Sequence, residues 1–159
     1  MNTYTWSLEI DSPVGASKLF KAAVVEWHNL ALKLKPDGIV RAAAVQGGGG
    51  VGSVREFNLT YAMPYNYMKE RLDFVDNDKL ECKQTLIEGC GLGTRIESAS
   101  TDIKFEPRSN GGCVCKVVST YEAIPGVTTE EEITKAKEIT AGIISAAEAY
   151  LLDNPGTCL

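Results

Sequence analysis

Histidine occurs once in the 159 residues, at position 28. Beside Trp27, near the end of a helical stretch, it reads as a solvated or capping side chain rather than a catalytic one. The five cysteines (Cys82, Cys90, Cys113, Cys115, Cys158) are odd in number and nowhere spaced CxxC, which argues against a disulfide framework and a zinc site. Cys113 and Cys115 share one face of an extended run, a poor start for a metal centre, and no metal or cofactor is called for. Basic residues form no run. Lys and Arg number 16 against 21 Asp and Glu, for a net charge of -5, so the surface should repel phosphate backbones rather than collect them. No apolar run approaches the ~18 residues of a membrane helix. Met1 to Asp11 lacks the basic and apolar regions of a signal peptide. A cytoplasmic protein with reduced thiols and no membrane partner is expected, and the sequon Asn58-Leu59-Thr60 would then be idle.

What is present is ordinary globular composition, 44% hydrophobic and 23% charged, enough for one domain over residues 1–159 without disulfides or metal. Tyr4, Trp6, Leu8 and Ile10 alternate with polar residues, which predicts a half-buried strand over Thr3–Asp11. Ser12 and Pro13 suit a helix start, and Leu19 to Leu34 continue at helical spacing until Pro36-Asp37-Gly38 stops them. Six strands follow, over Ile39–Val45, Ser53–Tyr61, Tyr67–Val75, Lys79–Ile87, Thr94–Glu106 and Cys113–Tyr121. Their short Gly, Pro, Asn and Asp joints imply an antiparallel meander. Thr129 and Glu132 form a capping-box pattern, and Ile133, Ala136, Ile139, Ile143, Ala147 and Leu151 make an apolar stripe. The helix expected from Thr129 to about Leu152 would be ~36 Å long. The fold class is α+β: one curved antiparallel sheet wrapped on a long C-terminal helix.

Gly47, Gly48, Gly49, Gly50 and Gly52 invite a nucleotide-loop reading. A dinucleotide fingerprint must open a helix, whereas Ser53-Val54-Arg55-Glu56-Phe57 is strand, and the P-loop lysine position holds Ser53. A hairpin loop able to guard an entrance fits better.

The strand faces expected to turn inward mix small and polar groups with apolar ones. Leu80, Cys82, Gln84 and Leu86 share one face, Ala99, Thr101, Ile103 and Phe105 another, and Cys113, Cys115, Val117 and Ser119 a third. Facing them, the helix offers Ala136, Thr140 and Gly142. Such faces either close tightly on the helix or leave a cavity; the residues alone do not decide. Arg55 alternates with Phe57, Leu59 and Tyr61. Its charge either points inward, paired with Glu97 or Glu148, or snorkels to solvent.

Three stretches together carry a resemblance: the glycine loop and its strand (Gly47 to Asn58), the central strands with Tyr67-Met68-Lys69-Glu70-Arg71-Leu72-Asp73-Phe74-Val75-Asp76 and Leu86-Ile87-Glu88-Gly89, and Ala147-Glu148-Ala149-Tyr150-Leu151-Leu152. From about Tyr4 to Asn154 the sequence resembles the plant class-10 pathogenesis-related proteins of the birch-pollen-allergen type. The resemblance implies a seven-stranded sheet gripping the helix, two short helices closing one end, and a large cavity. It also implies that small amphiphilic molecules (flavonoids, phytohormones) are bound there, in defence and stress responses, by a monomer or weak dimer. With it, the inward sets above become expected ligand contacts: Arg55, Phe57, Leu59 and Tyr61; Cys82, Gln84 and Leu86; Ala99, Thr101 and Ile103; Cys115 and Val117. Ile39, Tyr67, Ile139 and Ile143 complete them. Members of the family are also assigned ribonuclease activity. That alternative, the only one with RNA as partner, corresponds here to Arg55, Glu97, Glu148 and Tyr150, two carboxylates able to act as acid and base. The alkaloid-condensing branch uses a lysine where Lys116 stands, but Asp102 and Lys104 replace its partner residues and Lys116 alternates away from Cys115 and Val117.

Overall fold

The computed structural model describes residues 2–159; Met1, which the expected domain includes, lies outside them. Strand β1 (Asn2–Ser12) pairs along its whole length with the last strand, β7 (Cys113–Ala123), in antiparallel register. Between them run β2 (Ile39–Gln46), β3 (Val54–Leu59), β4 (Tyr67–Asp76), β5 (Glu81–Gly89) and β6 (Ile96–Pro107). The seven strands lie in the order β1-β7-β6-β5-β4-β3-β2, all antiparallel. The expected sheet is present, and β1 and β2 are its edges. Bulges near both ends of β2, at Ile39/Arg41 and Ala44/Gln46, disrupt the edge ladder and discourage pairing with another chain.

Local chemistry explains where the strands depart from expectation. β3 stops at Leu59 because Thr60 turns away: its N–H donates to the Gly38 carbonyl and its hydroxyl to the Asp37 carbonyl. β5 starts late because the Asp76 carboxylate accepts the N–H groups of Asp78 and Lys79, each at 2.9 Å, fixing a turn ahead of it.

Helix α1 (Ala16–Phe20) runs into a π-helical turn (Lys21–Val25), and α2 (Trp27–Leu34) follows after Glu26. Ser12 does not cap α1. It closes β1, and its hydroxyl accepts the Val14 N–H at 3.1 Å. The long helix α3 covers Glu130–Asp153. Its expected capping box is not formed: the Thr129 hydroxyl accepts from the Tyr121 hydroxyl at 2.7 Å, and Glu132 pairs with Arg95. Both side chains thereby tie the helix start to the sheet and to the β5–β6 loop.

The principal core joins Leu19 and Phe20 of α1 to Phe105, Cys113, Cys115 and Val117 of the sheet and to Ile144, Ala147 and Leu151 of α3. Phe20 and Phe105 meet edge to face at 5.8 Å, a favoured aromatic geometry. A second cluster gathers Trp27, Ala31, Ile39 and Phe57 where α2 covers β2 and β3, with Ile143 of α3 packed against it. The convex face carries ion pairs, among them Lys69–Glu88 at 2.9 Å and Lys104–Glu81 at 3.0 Å. No helix among the described residues is long and apolar enough to cross a membrane.

Candidate ligand site

Register fixes which side chains face α3. Leu72, Gln84, Thr101, Ser119 and Trp6 lie in one cross-sheet row, and Cys82, Ile103, Val117 and Leu8 in the next. Because side chains alternate strictly along a strand, Arg55, Phe57 and Leu59 fall on the same concave side as Glu70 and Met68. Tyr61 and Tyr67, expected there, are not on it. Tyr61 lies beyond the end of β3 and is fully exposed. Tyr67 pairs with Asn58, on the convex alternation.

Burial divides the concave side. Cys82, Phe105, Cys115 and Val117 are sealed in the principal core, and Ile39 and Phe57 in the second. Cys115, at 0% exposure, is packed rather than bordering open space, because α1 inserts Phe20 against its neighbour Phe105. In contrast Gln84, Leu86, Ala99, Thr101, Ile103 and Leu59 face inward yet remain half-buried. On α3, Ala136, Ile139, Thr140, Gly142 and Ile143 are half-buried too, Gly142 beside Lys35. The backbone of α3 approaches β1, α1, α2 and the π-helical turn more closely than it approaches β4, β5 and β6.

Arg55 resolves the sequence alternatives differently from either. It is 1% exposed, and its partner is neither Glu97 nor Glu148 but Glu70, its register neighbour on β4. Nε and Nη2 donate to the same carboxylate oxygen at 3.1 and 2.5 Å, and Nη1 donates to the Val24 carbonyl at 2.5 Å. A buried guanidinium requires a partner at each nitrogen and a counter-charge, and Arg55 has both. Val24 sits in the π-helical turn, where the i→i+5 pattern leaves its carbonyl available. The alternation of Met68, Glu70 and Leu72 was the signal that finds Glu70 from sequence.

The glycine loop forms one wall of a cleft of about 280 Å³, with Val25 and Glu26 opposite it and Val75 and Asn77 alongside. Strand β3 follows the loop, so the loop itself opens no helix; the helix start that borders the cleft is that of α2, at Glu26. His28 lies beneath the loop, buried rather than solvated, with Nδ1 unpartnered. Gly49 has φ of +97°, and a Cβ there would stand 3.3 Å from His28 Cε1, so only glycine fits without displacing the ring. Burial, then the neighbouring Arg55 charge, hold the His28 pKa below its ordinary value, against weaker opposition from Glu26 and Glu70.

The residues expected for ribonuclease chemistry do not converge. Glu97 is exposed at the end of β6 where Ile96 meets Ala123. Glu148 acts at the other end: after burial, its charge is the next influence raising the Cys113 thiol, and Cys113 pairs with Pro107. Ten residues of strand, ~33 Å, separate those ends. The Tyr150 ring lies 4.8 Å from Lys33 Nζ, and Arg55 is committed to Glu70. Lys116 points outward to Glu106 at 3.0 Å.

Residues 1–154 match the Pathogenesis-related protein Bet v 1 family. The chain belongs to that family. A Bet v 1 relative, pathogenesis-related protein 1 of Asparagus officinalis, is 51% identical over 156 residues, 98% of each chain. The crystal structure of Ara h 8.0201 superposes with a TM-score of 0.85 at 31% identity, covering 96% of this chain and all of the other. Norcoclaurine synthase from Thalictrum flavum, solved in complex with dopamine and hydroxybenzaldehyde, shares the fold with a TM-score of 0.84 at 20% identity, over 98% of this chain and 90% of that one.

Proposed function

We propose that this protein binds, stores or carries small apolar or amphiphilic plant molecules, flavonoids or phytohormones among them, between α3 and the concave face of the sheet, in defence or stress responses. One observation carries the proposal: the centre of β5 and β6 lies on the concave side and yet stays half-buried, while Cys82, Phe105, Cys115 and Val117 around it are sealed. Apolar surface left accessible inside a fold gains ~25 cal/mol per Å² when a ligand covers it, and a concave, largely apolar wall with a few polar groups suits small molecules. All five cysteines are free, which supports a reducing, cytoplasmic setting. The relatives' pathogenesis-related names support the defence role. The test is titration of the purified protein with an environment-sensitive apolar dye, together with native mass spectrometry of co-purifying molecules. Saturable binding, weakened by Ala99→Phe, is expected. Absence of saturable binding refutes the proposal.

A further inference from the structure

The glycine loop is fastened at its base and rests loosely at its tip. On the β3 side the Gly52 N–H donates to the Leu72 carbonyl at 2.6 Å, and the Leu72 N–H donates to the Ser53 carbonyl at 3.0 Å. The tip is held back by Ser53, whose N–H and hydroxyl donate to the Gly50 carbonyl at 3.1 and 2.5 Å. Gly48 and Gly49 make no hydrogen bond among the described residues. Gly49 lies instead against the His28 ring: a Cβ there would stand 3.3 Å from Cε1 and 3.7 Å from Nε2.

His28 is placed to stay neutral. Its ring is buried, and Nδ1 has no hydrogen-bond partner. The neutral ring therefore carries its proton on Nε2, beside the loop, and leaves a bare lone pair on Nδ1. Protonation puts an N–H on Nδ1 with no acceptor to receive it. It also puts a charge among groups that do not welcome one. Arg55 of β3 repels it. Glu70 of β4 attracts it, but that carboxylate is already engaged by two nitrogens of Arg55. Glu26, at the start of α2, also attracts it and already accepts from the Asn29 amide at 3.4 Å. The loop, residues 47–52, carries no charge.

A buried imidazolium without an acceptor must reach water. Arg55 blocks one side of the ring, and the second core cluster holds its neighbours Trp27 and Ala31. On the remaining side stands the loop tip, where Gly48 and Gly50 are exposed. We infer that the glycine loop is an acid-opened lid: charging His28 lifts Gly48, Gly49 and Gly50 off the ring and widens the adjoining cleft, while the bonds between Gly52, Ser53 and Leu72 hold the base. Gly47 and Gly52, with φ of +76° and +84°, flank the moving part as its hinges.

Nuclear magnetic resonance reads both halves of this switch in the unaltered chain. The His28 Cε1–H shift follows the titration of the ring. Hydrogen exchange, corrected for the intrinsic rate at each pH, follows protection of the Ser53 amide, whose acceptor is the Gly50 carbonyl. As the pH falls from 7 through the His28 titration, Ser53 protection should drop about five- to hundredfold, the worth of one buried donor left unpaired. The two midpoints should coincide, and amides at the centre of β7, such as Val117, should keep their protection. Ser53 protection that stays constant, or that falls at a pH where His28 does not titrate, overturns the inference. So does an equal loss across β7, which marks unfolding of the whole domain. His28→Gln has no charge to gain and should keep the loop closed over the same pH range; a variant that still opens in acid overturns the inference too. If that variant does not fold, the two midpoints in the parent decide the matter alone.

Discussion

Replacing Glu70 with glutamine keeps the side-chain volume but removes the only carboxylate that compensates Arg55. The guanidinium is 1% exposed, so water cannot take over the lost charge. Two of its three hydrogen bonds end on one Glu70 oxygen. Breaking a buried ion pair by removing one partner typically costs about 3–5 kcal/mol. A glutamine carbonyl restores one neutral hydrogen bond of about 1 kcal/mol, so a net loss of about 3 kcal/mol is expected. For a chain of this size that corresponds to a melting temperature lower by ~6–12 °C. With a urea m-value of ~2 kcal/mol/M, the unfolding midpoint should move down by ~1.5 M. Urea denaturation followed by tryptophan fluorescence and far-ultraviolet circular dichroism reads this directly. The double replacement Arg55→Met with Glu70→Leu removes both charges and leaves only the Val24 carbonyl without its donor, so it should lie within ~2 kcal/mol of the parent. A Glu70→Gln loss below ~1 kcal/mol, or a double variant worse than the single one, would show that the pair is not the sealed, mutually dependent unit described here.

Other expectations follow from the same geometry. His28 is held below its ordinary pKa of 6.5 by burial and by Arg55, so the unfolded chain binds its proton more readily; its contribution to stability is complete above pH 6.5 and is lost as pH falls further. His28→Gln should flatten that part of the stability–pH curve, and an unchanged slope would remove His28 as its source. Cys115→Phe forces a ring into sealed core and should cost about 1–3 kcal/mol, whereas Ala99→Phe enters the half-buried patch and should cost less while weakening dye binding; equal costs would erase the distinction between the two regions. Burial pushes the Cys82 and Cys115 thiols up to about 12 and Cys90 to about 11. A thiol reagent at pH 8 should therefore modify exposed Cys158 quickly in the native protein and all five cysteines only in denaturant; rapid native labelling of three or more would contradict the packing.

Much of the fold was legible because it rests on short-range rules. Alternation in Thr3–Asp11 placed Tyr4, Trp6, Leu8 and Ile10 on one side, which the register with β7 repeats. Alternation also assigned Gln84, Thr101 and Ser119 to the concave face before their cross-strand partners were known. What periodicity lacks is depth. It cannot separate Cys115, sealed beneath Phe20 and Phe105, from Ala99, which is half-buried on the same side of the sheet. Partners distant in sequence were equally hidden. Arg55 meets Glu70 through strand register and Val24 through a π-helical turn, and helical spacing alone signals no such turn. Tyr61 was misplaced because two hydrogen bonds to the α2–β2 connection, at Asp37 and Gly38, pull Thr60 out of the ladder.

Helix α3 resembles a beam held at two supports. Near its start, Thr129 is tied to Tyr121, and Glu132 to Arg95. Toward its far end Ile144, Ala147 and Leu151 are locked into the principal core. The span between, from Ala136 to Gly142, is half-buried apart from exposed Glu138. A beam deflects most between its supports, so bending there would alter the gap between helix and sheet without breaking either anchorage. Under the proposed function, guests of different thickness would be accommodated by flexure of this one element.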